Sequence, residues 1–132
     1  MYKFTALIIL LSLSSCFDFL TNSNDDKKPD KPTSTEFTLE VGDTQTLPNG
    51  SIIKFVDILE DSRCPIDVEC VWEGNFKIQL EIDSKTMLLN TNLEPKAIDI
   101  NGTKISIKKV LPEADGKKKI EKHEYEVLFK VE

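Results

Sequence analysis

Residues 74–83 alternate without a break: Phe76, Ile78, Leu80 and Ile82 are apolar, and Lys77, Gln79 and Glu81 between them are polar. A repeat of two belongs to a β-strand with one buried face. A helix would scatter the same residues around its circumference. Neighbouring segments follow suit. Phe37, Leu39 and Val41 alternate before a turn at Gly42-Asp43, and Leu47-Pro48-Asn49-Gly50 is a second turn signal. Residues 51–59 are β-branched and apolar on both faces, as suits a central strand. Residues 85–90 read as the hairpin partner of 74–83 across Asp83-Ser84. Residues 97–100 and 103–110 flank Asn101-Gly102, a two-residue hairpin signal. Residues 112–122 are polar and lysine-rich, an exposed loop, and Tyr125, Val127, Phe129 and Val131 alternate in a last strand. The expected fold is all-β: a small antiparallel β-sandwich (Ig-like) or barrel of about seven strands over residues 36–132. A chain of about 97 residues supports one modest core.

The first 35 residues lack this pattern. Lys3 gives a short basic start, and residues 4–13 (FTALIILLSL) are almost continuously apolar. That run is too short to cross a bilayer as a helix, which takes roughly 20 apolar residues. A basic start, a short apolar core and small residues behind it describe a signal peptide, expected at 1–15. Leu13-Ser14-Ser15-Cys16 resembles the bacterial lipobox. The resemblance implies lipid on the Cys16 thiol, cleavage before Cys16 and acylation of the new N-terminus. Each buried CH₂ contributes about 0.8 kcal/mol, so two or more chains anchor stably. Residues 16–35 are then a lipidated cysteine and a flexible linker, with no large apolar residue after Leu20. The expected address is the bacterial cell envelope. Phe17, rather than Asp, follows Cys16, which favours the outer membrane over the inner. With Cys16 lipidated, Cys64 and Cys70 remain as a pair in an oxidising compartment.

Residues 57–75 (DILEDSRCPIDVECVWEGN) interrupt the strand pattern with a denser chemistry. Closing the seven residues from Cys64 to Cys70 contributes about 2 kcal/mol in the chain-entropy model, and Pro65 stiffens the loop further. Asp61-Ser62-Arg63-Cys64-Pro65 and Cys70-Val71-Trp72-Glu73-Gly74 resemble a group of small exported bacterial domains with no assigned activity. Val110-Leu111-Pro112 after a later strand is similar too, so the resemblance covers roughly residues 50–131. It implies a β-fold and a Cys64–Cys70 disulfide. Two compatible readings follow. In one, Trp72 packs on the bridge and caps an end of the sandwich, Arg63 pairs bidentately with Asp61 or Asp67, and Gly74 permits a backbone turn. In the other, a rigid loop presents Arg63, Asp67, Trp72 and Glu73 to a partner.

Other chemistry is sparse. His123 is the only histidine and sits in a charged stretch, and a zinc site takes several His or Cys ligands. Asp57, Glu60, Asp61, Asp67, Glu69 and Glu73 make the motif acidic, but their spacing matches no EF-hand loop for calcium. Lys108, Lys109, Lys117, Lys118, Lys119 and Lys122 read as a solvated basic patch. No catalytic set, metal or cofactor is expected. A net charge of −6 argues against nucleic acid. The expectation is a monomeric, non-enzymatic binding or structural module. It would be held at the membrane through Cys16 and would engage an envelope protein or glycan. The alternative is an inhibitor of a hydrolase, a protease or lysozyme, presenting loop 61–74.

Overall fold

Eight strands form over residues 36–132, the part of the chain that the computed structural model describes. They are β1 (Glu36–Glu40), β2 (Thr44–Thr46), β3 (Ile52–Asp61), β4 (Phe76–Ile82), β5 (Lys85–Asn90), β6 (Ala97–Ile100), β7 (Thr103–Leu111) and β8 (Glu126–Val131). The signal peptide expected at 1–15, the lipid site expected at Cys16 and the linker expected at 16–35 lie outside the described residues. The strands make two antiparallel four-stranded sheets, in the orders β1-β8-β7-β6 and β2-β3-β4-β5. The domain is therefore a β-sandwich and not a closed barrel. Its chain path is a meander folded over into two layers, and β1 returns to pair with β8. The crossed Greek-key connections of an immunoglobulin domain are absent from this path.

The alternating segment becomes β4, with Phe76, Ile78, Leu80 and Ile82 all buried. Its hairpin to β5 turns at Asp83 and Ser84, both at positive φ (48° and 67°). The β6–β7 hairpin turns at Asn101 and Gly102, at 52° and 83°. Two consecutive positive φ values match the right-handed twist of the flanking strands. The apolar run of β3 has a different cause from burial on both faces. Register shifts between Phe55 and Asp57 and between Ile58 and Glu60 re-phase the strand. Ile53 and Phe55 point inward before the first shift and Ile58 packs on the core after it, while Ile52 and Leu59 stay exposed. β3 is nonetheless an interior strand of its sheet.

The expected count of about seven strands was one short. β2 is three exposed polar residues and carries no periodic signal of its own. The turns on either side form it: Gly42 N–H donates to Phe55 O at 2.7 Å, and Leu47 N–H donates to Ser51 O at 2.8 Å. Leu47 is fully buried and pins the segment to the core. A short 3₁₀ turn (Lys122–Glu124) also interrupts the expected lysine-rich loop, and His123 lies in it, exposed.

Both sheets contribute to one core, with Phe129 at its centre. Phe129 stacks on Phe37 (centroids 5.1 Å apart) and meets Phe55 edge to face at 6.4 Å. Truncating Phe129 to Ala removes both contacts and leaves a cavity, so unfolding stability falls by about 3–5 kcal/mol. Gln45→Ala, on the exposed β2, shifts it by less than about 0.5 kcal/mol. Urea denaturation of the two variants tests the difference.

Candidate functional site

The motif begins inside β3 and occupies one end of the sandwich. Arg63 leaves the strand two residues after Asp61 and folds back on it. Its Nε donates to Asp61 Oδ1 at 2.7 Å, and Nη2 donates to Oδ2 at 2.8 Å. Nη1 reaches the other sheet's β7 end, donating to Val110 O at 3.2 Å and Pro112 O at 3.0 Å. The guanidinium also lies over the rings of Phe76 and Tyr125, at 5.2 and 5.9 Å from their centroids. Tyr125 completes the cluster by donating its hydroxyl to Asp61 Oδ2 at 2.7 Å. Of the two carboxylates considered for Arg63, Asp61 is the bidentate partner. Asp67 instead sits 3.8 Å from Lys117 Nζ.

Burial and bonding act in opposite directions on the Asp61 carboxyl. Burial raises its pKa, but the donors on Arg63 and Tyr125 and the Arg63 charge lower it further, leaving it below the ordinary value. Tyr125 is pushed up to about 12, first by burial and then by its hydrogen bond to the Asp61 carboxylate.

The return of the loop is held by Gly74 and Asn75. Gly74 has φ +75°, and a Cβ there would overlap the Ser62 carbonyl and lie 2.8 Å from Arg63 Cα. Asn75 is fully buried. Its Nδ2 donates to Asn90 Oδ1 at 2.9 Å, and its Oδ1 accepts from the Asn92 and Leu93 amides. Its backbone pairs with Ser62, whose amide donates to Asn75 O at 2.8 Å. The loop base is thus bonded to residues 90–93 on one side and to β7 on the other.

Above this base the chain is closed by the Cys64–Cys70 disulfide, with the two Cα atoms 5.9 Å apart. Ile66 N–H donates to Ala114 O at 3.1 Å, joining the loop to residues 112–121. The body of the loop faces water with its apolar side chains. Ile66 is 70% exposed, Val68 53%, Val71 106% and Trp72 52%. Trp72 is not part of the core cluster. Closure of this end of the sandwich, expected of Trp72, is done by Arg63 over Phe76 and Tyr125.

The four candidate contact residues therefore separate. Arg63 is withdrawn from water, with a side-chain exposure of 14%, and is a holding residue. Asp67, Trp72 and Glu73 are exposed. Ile66, Val68 and Val71, which join Trp72 on the surface, were not singled out from the sequence. The available signal was their position: Ile66 and Val68 lie inside a seven-residue disulfide ring and Val71 directly follows its second cysteine, which leaves them little room to reach a core. Beside the loop lies a shallow depression of about 380 Å³ lined by Arg63, Pro65, Lys118, Lys119 and Tyr125 among others. Lys118 is bonded to Glu124, and Lys119 lies 3.6 Å from Glu121. Among the described residues, no three His, Cys, Asp or Glu side chains gather as a metal site.

Arg63→Ala strands the Asp61 carboxylate and two carbonyls, and is expected to cost about 2–3 kcal/mol in urea denaturation. Arg63→Lys recovers only part of this, because it lacks the planar fork. Gly74→Ala costs more than about 1 kcal/mol, because its backbone conformation and its space both exclude a side chain.

The same cluster sets a pH dependence. Asp61 ionises more readily folded than unfolded. Its contribution is present above the ordinary value of 3.8 and is lost as pH falls through the lower folded value. Tyr125 is held neutral. Its contribution is full below 10.0 and is lost as pH rises through about 12. Tyr125→Phe is expected to flatten the alkaline limb and to shrink, without abolishing, the acid limb, because Asp61 loses the Tyr125 donor and keeps Arg63, as read from denaturation midpoints across pH.

No protein-family model matches this chain, and neither a curated protein nor a solved structure matches it.

Proposed function

We propose that this chain is a lipid-anchored protein of the bacterial cell envelope, and that its β-sandwich is a non-enzymatic binding module docking a partner through loop 61–74. The observation that carries the reading is the exposure of Ile66 and Val68 within the disulfide ring and of Val71 and Trp72 directly after it. An apolar group of this kind on a small monomer is a frequent mark of an interaction site. Tryptophan is among the residues that supply most binding energy at interfaces. A loop already fixed by a disulfide and by Arg63 loses little entropy on docking. The lipobox at Leu13-Ser14-Ser15-Cys16 and the polar linker behind it supply the anchor and the spacer. Phe17 after Cys16 favours the outer membrane. The partner is an envelope protein or glycan.

A second reading rests on the same exposed, disulfide-held loop. A rigid projecting loop on a small scaffold suits insertion into the active site of a protease or lysozyme. Inhibition of such a hydrolase, abolished by Trp72→Ala, would select this reading over the general one.

Two results are expected for the lipidated protein in intact cells. Cys16→Ser moves it from the membrane fraction to the soluble one. Chemical crosslinking captures a dominant partner that is lost with Trp72→Ala, while that variant keeps its denaturation midpoint because Trp72 lies outside the core. Partners indifferent to Trp72 would remove the loop from the binding site.

A further inference from the structure

The apolar tip carries charge of one sign. Asp67, Glu69 and Glu73 lie among its four apolar residues, and residues 64–74 contain no lysine, arginine or histidine. Asp67 has one cationic neighbour, the exposed Lys117 at 3.8 Å. Among the described residues, the Glu69 and Glu73 carboxylates make neither an ion pair nor a side-chain hydrogen bond, and both residues are exposed. Lys117, Lys118 and Lys119 lie on the segment beside the loop, and Glu73 shares a depression with Lys108 and Lys109, but the loop's own carboxylates oppose its approach to an anionic surface, whether of acidic lipid headgroups or of acidic glycan. A surface with Lys and Arg around an apolar cleft matches it on both counts.

Strand register places the tip within the domain. β1 starts at Glu36 opposite Lys130, and β8 ends at Val131 opposite Ile105, so the chain enters and leaves at the same end. Asn49 at that end donates to Ile100 O, in the turn region of the β6–β7 hairpin, which ties the two sheets there. β3 runs away from this end, from Ile52 to Asp61, and loop 61–74 follows its far end. At 3.3 Å per residue, its ten residues put the tip about 30 Å from the point of chain entry.

We infer that the loop docks into an apolar cleft of a protein, edged by Lys and Arg, on the side of the domain turned away from residue 36. This inference rests on the binding-module reading and names its partner class. The bilayer bearing the anchor and the acidic glycans of the envelope are the competing occupants.

The test uses the full lipidated chain, with Trp72 as its single tryptophan. First, the protein is placed in vesicles of phosphatidylcholine and of brominated phosphatidylcholine. Trp72 emission is expected to be equal in both; quenching by bromine would put the tip in the bilayer and overturn the inference. Second, a photocrosslinking residue replaces Val71, or Lys104 at the entry end, in intact cells. The expected result is a protein adduct from position 71 and not from 104, reduced about tenfold by Glu69→Lys with Glu73→Lys and restored by the Glu→Gln pair. An adduct to glycan, or a protein adduct untouched by charge reversal, overturns the partner class and leaves the binding module standing. No adduct from position 71, together with partners indifferent to Trp72→Ala, overturns both.

Discussion

A guanidinium clamped to a carboxylate, bonded to two main-chain carbonyls and stacked on two rings needs every one of these groups in place. Arg63 meets that condition at the junction of the two sheets. Its Asp61 partner is the last residue of β3, the carbonyls belong to Val110 in β7 and to Pro112 just after it, and the rings belong to Phe76 of β4 and to Tyr125 just before β8. With side-chain exposures of 14% and 16%, the Arg63–Asp61 pair is shielded enough for its geometry to matter energetically, unlike the solvated pairs along the strands. The sandwich is open between β1 and β2 and between β5 and β6, so no hydrogen-bonded ladder joins its layers. At the motif end, this cluster does what a closed barrel would do with backbone bonds.

The division of labour inside the motif follows from that. Residues 61–63 and 74–75 are turned inward and satisfy one another. Ser62 pairs with Asn75, Gly74 admits the Ser62 carbonyl, and Asn75 reaches Asn90 and the amides of 92 and 93. Residues 66–72 are left with the disulfide as their main internal constraint and with Ala114 as a backbone anchor. A loop so held keeps its shape without folding its apolar side chains under itself. A flexible loop with the same composition would collapse them against the nearest apolar surface.

Much of this fold was readable from alternation and turn chemistry. β4 and β8 present one apolar residue in two, and Asp83-Ser84 and Asn101-Gly102 are the turns that two-residue hairpins require. What escaped had no local signature. β2 exists because its neighbouring turns bring three polar residues beside β3. The bulges in β3 make a one-sided strand read as two-sided, since each shift moves the apolar residues to a new phase. At the site, spacing left both Asp61 and Asp67 open as partners of Arg63, but the pairing of Cys64 with Cys70 lay within its reach, because the two are close in the chain. The carbonyls of Val110 and Pro112 and the amides answering Asn75 did not, because they come from distant segments. In one of the two sequence readings Trp72 packs on the disulfide and caps an end of the sandwich. That end is covered instead by Arg63, which pairs with the partly shielded Asp61 carboxylate as well as lying over the Phe76 and Tyr125 rings.

The energetics of the exposed tip explain why rigidity matters more than its size. Fully burying an aliphatic side chain contributes roughly 1.5–3 kcal/mol, and because Ile66 and Val68 are already partly shielded, they and Val71 together offer less than about 5–9 kcal/mol to a partner. Trp72 adds to this only in part, since half of it is already shielded. Association costs an estimated 4–15 kcal/mol in lost translational and rotational freedom, before any loop ordering. A tip of this area on a floppy loop would therefore bind weakly or not at all. Holding the loop in advance, with the disulfide at its waist and Arg63 at its base, moves the ordering cost into folding, where the core of the sandwich bears it. The exposed carboxylates of Glu69 and Glu73 then act on which surface is approached. Against a cationic rim they add attraction at long range; against an anionic one they cancel what the apolar residues offer.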